Sequence, residues 1–216
     1  MPCCNHCIGV ENNFNTRRST RELKRFRKKG PSETTKALVN AIVSRGIQGA
    51  SLLDIGGGVG AIQHLLFEAG IGQVTGVDAS TANVKAASDE HKRRGTLDRV
   101  KTHFGDFVDL APSIRSGDIV TLDRVLCCYP DMRSLVDLST ERSNRMYGLV
   151  YPRKRWWLNG IFALINMAFW LTRDSFRVFI HDPEAVDSLI RNNGFKLEFA
   201  DQTMMWQVAV YVRRME

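Results

Sequence analysis

The sequence predicts an α/β fold: a parallel sheet with helices on both faces that ends in an antiparallel hairpin. Three observations carry this. Short apolar runs alternate with helix-length segments through most of the 216 residues, the pattern of a sheet covered on both sides. The first run leads into a glycine-rich loop, LLDIGGGVG at residues 52–60, of the kind that joins a strand to a helix. The last two runs, FKLEFA and MMWQVAVYVRR, have only a short turn between them, and consecutive strands without a crossover pair antiparallel.

Each element has its own signal. Residues 1–31 read as a basic, cysteine-containing arm, an appendage ending at Gly30-Pro31, and residues 32–216 as the domain itself. Ser32 caps a helix that stops at Gly46, a side-chain oxygen at the start and a glycine at the end being the usual limits. ASLLDI is a strand, AIQHLLFEAG a helix ending in Gly70, and QVTGVD a strand. Ser80 caps the polar-faced helix TANVKAASDEHKRRG, and RVKTHFGDF, DIVTLDRVL and RMYGLVYP supply further strands. Asp182-Pro183 opens PEAVDSLIRNNG, with proline in the first helical position and Gly194 beyond the end.

Composition is that of an ordinary soluble domain, 44% hydrophobic and 25% charged. Residues 17–29 hold eight basic side chains against one acid, which accounts for the chain's whole excess of +7. Such a run is either a solvated helix face or tether, or a site for an anionic substrate or acidic lipid. No nucleic-acid-binding motif accompanies it, so nucleic acid is not an expected partner. Cys3, Cys4, Cys7, Cys127 and Cys128 form two clusters rather than a disulfide framework, and no signal peptide opens the chain. A reducing cytoplasm is therefore the expected compartment. Cys4 and Cys7 flank His6, but this is one knuckle where structural zinc collects four ligands, so no metal is expected.

The glycine loop satisfies two fingerprints. Gly56, Gly58 and Ala61 fit a dinucleotide pattern, while Asp54, Gly56, Gly58 and Gly60 fit D-x-G-x-G-x-G. Asp54 beside the loop is a poor neighbour for a pyrophosphate and a good one for a cofactor bearing an ammonium and a sulfonium. Asp78 ends the next strand, where a carboxylate can accept both ribose hydroxyl protons. In Gly105-Asp106-Phe107 the acid can accept from an adenine amino group while the next N–H meets a ring nitrogen. The terminal hairpin leaves no room for a separate dehydrogenase substrate domain.

This ordered set resembles the class I S-adenosylmethionine-dependent methyltransferases over about residues 35–212. The resemblance implies a Rossmann-like seven-stranded sheet, mostly parallel, with an antiparallel C-terminal hairpin. It implies S-adenosylmethionine as cofactor, with Asp54 and the glycines at its methionine part, Asp78 at the ribose, and Asp106 with Phe107 at the adenine. Ala79 and Asp123, beside their strand ends, complete the expected cofactor set.

Acceptor residues should come from the loop after the fourth strand and from whatever covers the cleft. That loop holds Arg124, Cys127-Cys128 and Tyr129. Arg124 either orients an anionic acceptor or pairs with Asp123 or Asp131. Tyr129 either contacts the acceptor or packs, and the cysteines read as a buried apolar pair. Trp156 to Leu171, an apolar insertion within about residues 153–172, is about 24 Å long as a helix. This is short of the ~30 Å needed to span a bilayer. Three readings stay open: a helix buried on its own sheet, a lid over an apolar acceptor, or an interfacial anchor giving peripheral membrane contact.

Tyr129-Pro130, Pro152 onward, Arg173 to Arg177, Phe179-Ile180-His181 leading to Glu184, and Phe14-Asn15 resemble the magnesium-protoporphyrin IX methyltransferases. That family methylates a propionate carboxylate on a large flat ring. Cys128 and Asn13 stand where it tends to carry a histidine and a tyrosine with acceptor-side roles, so this chain is expected to have its own acceptor. The expectation is methyl transfer to a small, apolar, anionic molecule, with carboxylate O-methylation the favoured form. Arg124, Tyr129 and His181 are the catalytic candidates, His181 reading either as a substrate contact or as a cap of the helix that begins at Pro183. The alternative is a non-catalytic S-adenosylmethionine-binding module associated with a membrane or a protein partner.

Overall fold

The structure, a computed structural model, describes residues 5–214, with side chains from His6 onward. Cys3 and Cys4 lie outside the described residues, and with them half of the C-x-x-C reading. Seven strands form one sheet: β1 (Ser51–Ile55), β2 (Gln73–Asp78), β3 (Val100–Phe104), β4 (Gly117–Asp123), β5 (Ser143–Pro152), β6 (Phe195–Gln202) and β7 (Trp206–Arg213). Their order is β3-β2-β1-β4-β5-β7-β6. β7 lies antiparallel to both β5 and β6, and the other pairings are parallel. The predicted architecture is the observed one.

The helices are α1 (Asn5–Asn13), α2 (Thr16–Lys29), α3 (Glu33–Val43), α4 (Ala61–Glu68), α5 (Thr81–Arg94), α6 (Phe107–Leu110), α7 (Met132–Glu141), α8 (Trp156–Leu171) and α9 (Pro183–Asn192). Leu52, Ile119 and Val150 face the layer containing α3 and α4, while Leu53, Val120 and Leu149 face α7 and α9. Neighbouring residues thus enter different cores, which is why these strands read as continuous apolar runs. The cap readings hold: Ser32 Oγ accepts from Thr35 N at 3.2 Å and Ser80 Oγ from Asn83 N at 3.1 Å. At Gly148 a Cβ would come within 2.8 Å of Leu38, so the glycine lets α3 lie close on the sheet.

Two segments depart from expectation. The arm is not a loose appendage. Ser19, Leu23 and Phe26, spaced at helical intervals on α2, are buried, and the last two pack with Val59 of the glycine loop. Ser19 Oγ donates to Asn83 Oδ1 at 2.7 Å, and Ser80 Oγ donates to the Phe14 carbonyl at 2.6 Å. The second segment is α8: of the three readings left open for it, the helix buried on its own sheet is the one its exposure overturns. Leu158 is its one fully buried residue, while Trp156 is 87% and Trp170 68% exposed. The central strands are covered by α3 and α4 on one face and by α7 and α9 on the other.

Candidate active site

The strand order reverses between β1 and β4, and a crevice opens outside the carboxyl ends of strands at such a point. Here it is a cleft of about 1040 Å³. Asp54, Asp78, Asp106 and Asp123, from four separate strand ends, all line it, together with Gly56, Gly58, Ala79 and Phe107. The predicted cofactor residues therefore converge on one hollow; Gly60 belongs to the same loop but not to the lining, since it starts α4 in a left-handed conformation.

The loop depends on its glycines. Gly56, Gly58 and Gly60 have φ of 63°, 58° and 79°, a region that side chains with a Cβ seldom adopt. Asp78 ties the loop to β2: Oδ2 accepts from Gly58 N at 2.9 Å and Oδ1 from Ser80 N at 2.8 Å. Burial pushes its carboxyl up to about 6 despite these bonds.

Asp54 sits beneath the loop. Thr121 Oγ1 donates to its Oδ1 at 2.7 Å and Gln63 Nε2 to its Oδ2 at 2.9 Å, so each oxygen holds a protein donor. Burial raises this carboxyl to about 7. A Cβ at Gly57 would lie 2.4 Å from Oδ2, so the backbone rests on the carboxylate. The geometry makes Asp54 a brace of the turn.

At the β3 end, Asp106 caps α6 by accepting from Val108 N at 2.9 Å. Tyr129 Oη donates to the same carboxylate at 2.9 Å, and Cys7 Sγ lies 3.7 Å from its Oδ2. The His6 ring meets the Tyr129 ring edge-on at 5.0 Å. Tyr129, read as either an acceptor contact or a packing residue, is thus drawn to the β3 end by Asp106, a contact that loop spacing does not reveal.

At the β4 end, Asp123 Oδ2 accepts from Thr35 Oγ1 at 2.6 Å, and burial raises its pKa. Its Oδ1 faces Arg124 Nε at 3.6 Å. Arg124 has φ of 63° and reaches back to α3's first turn, donating to Ser32 Oγ and, at 2.9 Å, to Thr34 Oγ1. Its guanidinium also lies over Trp206, 5.3 Å from the ring centre. The ion pair with Asp123 weighed in the sequence is present, and the guanidinium's remaining contacts are to the protein.

His181 lies outside the cleft lining. Its Nε2 is 2.9 Å from the carbonyls of both Leu126 and Tyr129. Carbonyls only accept, so Nε2 carries the proton and the ring braces the β4 loop from behind. It makes no cap to α9, whose N-cap Asp182 accepts no side-chain bond. The structure thus does not bring His181, a catalytic candidate in the sequence, to the cleft lining.

The roof is the part that sequence reading missed. Phe14, Arg17, Arg18, Arg21 and Arg25 from the N-terminal helices line the cleft, as do Phe162 of α8 and Phe176 and Val178 beyond it. The two halves meet where α1 presses on the chain after α8. A Cβ at Gly9 would lie 2.5 Å from Phe176 N, and Asn13 Nδ2 donates to Asp174 Oδ2 at 3.0 Å. Arg17, Arg21 and Arg25 recur at helical spacing, a signal that could have placed them on one face. Among the described residues no carboxylate pairs with Arg17, Arg18, Arg21 or Arg25, and no group of three or more His, Cys, Asp or Glu is placed to hold a metal.

Residues 53–139 match the family described as a methyltransferase domain. A search of curated proteins gives no match. Among solved structures the chain is similar to the magnesium protoporphyrin IX methyltransferase of Synechocystis PCC 6803 with bound SAH, at 20% identity and a TM-score of 0.71, covering 95% of this chain and 98% of that one. It is also similar to the geranyl diphosphate C-methyltransferase of Streptomyces coelicolor A3(2), at 13% identity and a TM-score of 0.65, covering 83% and 76%. The chain has the class I S-adenosylmethionine-dependent methyltransferase fold, and the residues that match the methyltransferase-domain family hold the ends of β1 to β4 that line the cleft.

Proposed function

We propose that this protein is an S-adenosylmethionine-dependent methyltransferase acting on a small, largely apolar acceptor that carries an anionic group, with carboxylate O-methylation the favoured form. The observation that carries the acceptor reading is the lining: four arginines on α2, without a carboxylate partner among the described residues, share one cleft with the apolar Phe162, Phe176 and Val178. The cleft, about 1040 Å³, exceeds the roughly 300–1,000 Å³ typical of single-ligand sites, leaving room for cofactor and acceptor together.

The residues present suit the cofactor. Bound there, it would supply an electrophilic methyl on a sulfonium. Asp78 would hold the ribose, and Asp106 with the Phe107 N–H the adenine. Asp123, a carboxylate in the lining at the end of β4, would suit the ammonium. Arg18, Arg21 and Arg25 would hold the acceptor's charge away from bulk water, so that its nucleophilic oxygen approaches in line. A carboxylate is already ionised near neutrality and needs no base, which fits a site where Tyr129 and His181 are committed elsewhere.

Asp78→Ala should weaken S-adenosylhomocysteine binding by about 1.5–3 kcal/mol in titration calorimetry, with the protein still folded by circular dichroism. Unchanged affinity would remove the ribose assignment. Incubation with methyl-labelled S-adenosylmethionine and a panel of apolar carboxylic acids should release base-labile methyl esters. Label confined to base-stable products would sink the carboxylate form, and cofactor binding with no labelled product at all would favour a non-catalytic module.

A further inference from the structure

We propose that α8 docks on an anionic phospholipid surface, lying flat in its interface, so that the cleft takes its acceptor from the lipid. Only the last clause rests on the function proposed above; the docking itself stands on α8.

The helix presents Trp156, Ile161, Leu164, Ile165, Met167, Trp170 and Leu171 to solvent, and residues 156–171 contain no charge. Its inner side, with Leu158 and Phe162, rests on the protein. An uncharged helix exposing this much apolar surface needs a cover. Among the described residues no helix is long and apolar enough to cross a membrane, so a bilayer would receive α8 along its surface.

Charge selects the cover. Arg153, Lys154 and Arg155 precede the helix, and Arg173 and Arg177 follow it. Of these, Lys154 pairs with Asp182 at 3.4 Å, while Arg155 and Arg173 are exposed without an acidic partner. Tryptophans stand near both ends, where indole rings favour the boundary between headgroup and hydrocarbon. Met204, 73% exposed, sits in the turn joined to the helix entry by the Arg153 N–H bond to the Met205 carbonyl at 2.9 Å. A second copy is a poor cover: with both ends basic, a two-fold pairing sets cation against cation whichever way the helices run.

The helix is also wired to the site. Asn166 clasps the chain beyond α8: its Nδ2 donates to the Val178 carbonyl at 2.8 Å, and its Oδ1 accepts from Val178 N at 2.8 Å. Phe179 N then donates to the Cys127 carbonyl at 2.8 Å, in the loop after β4. A lipid surface against the outer side of α8 would therefore lie one helix away from Phe162 and Val178 at the cleft wall.

Vesicle co-sedimentation tests this. The full chain should bind vesicles of phosphatidylcholine with phosphatidylglycerol at least about tenfold more tightly than phosphatidylcholine alone, with a blue shift of tryptophan emission. Leu164→Glu with Met167→Glu should abolish most of that binding and leave the thermal shift given by S-adenosylhomocysteine unchanged. Equal binding by variant and parent, or none by either, overturns the proposal. So does a dimer in light scattering that the double variant dissolves without any vesicle binding. Absence of the thermal shift in the parent would instead count against the methyltransferase reading and leave the docking result standing.

Discussion

Helix α2 carries eight basic residues and buries a face; α8 carries none and buries little beyond Leu158. The charged helix is fastened because its few apolar residues share one stripe. Leu23 and Phe26 meet Val59, Phe26 stacks on His64 at 5.9 Å, and Arg27 reaches the buried Glu90. The apolar helix stands out because its hydrophobic residues surround it and the central strands are already covered by other helices. Hydropathy averaged along a segment therefore fails to place either helix. What places them is the geometry of the stripe and the space available beneath it.

The largest test of this contrast is Phe26→Ala. Removing a mostly buried ring should cost about 3 kcal/mol of docking energy, lower the thermal midpoint and open the arginine-rich segment to trypsin. Undiminished protease resistance would mean that α2 is held by something other than its apolar stripe.

Glu90→Gln should cost less, roughly 1–3 kcal/mol, because two of its three arginines are half exposed and screened. Arg93, with Arg94 and Arg27, holds the Glu90 carboxyl well below the usual carboxylate range. A depressed folded pKa contributes stability above the unfolded value of about 4.3 and loses it as pH falls. The gap between parent and variant should thus be full at neutral pH and shrink below about pH 5. Asp54 and Asp78, raised by burial, act with the opposite sign between about pH 4 and 7, so the comparison must be made at matched pH. A gap that widens in acid would break the assignment.

Leu164→Ser on α8 should change stability by no more than roughly 0.5 kcal/mol, since Leu164 is 62% exposed. A loss as large as that of Phe26→Ala would show that α8 is covered within the free molecule.

Much of the site was legible because its signals are local. A glycine turn, an acid at each of several strand ends and a serine before a helix are written within a few residues of one another. Three candidates were placed by distant contacts instead. Tyr129 went to Asp106, His181 to the carbonyls of Leu126 and Tyr129, and Arg124 to Ser32 and Thr34. The roof was illegible for the same reason: α2 is joined to α5 through Ser19 and Asn83, 64 residues apart. Asp54 teaches a subtler point. Its position beside the loop was readable, but its donors Gln63 and Thr121 fix it as a brace.

The amino-acid order alone determined the succession of strands and helices, the reversed last strand and the row of carboxylates along the strand ends. Those follow from periodicity, caps and turn chemistry, which act over a few residues. Tertiary structure alone decided that the basic segment roofs the cleft, that the most apolar helix faces outward, and which side chains remain free to meet a ligand. Those outcomes depend on which surfaces are already filled when each segment arrives, and no local pattern carries that information.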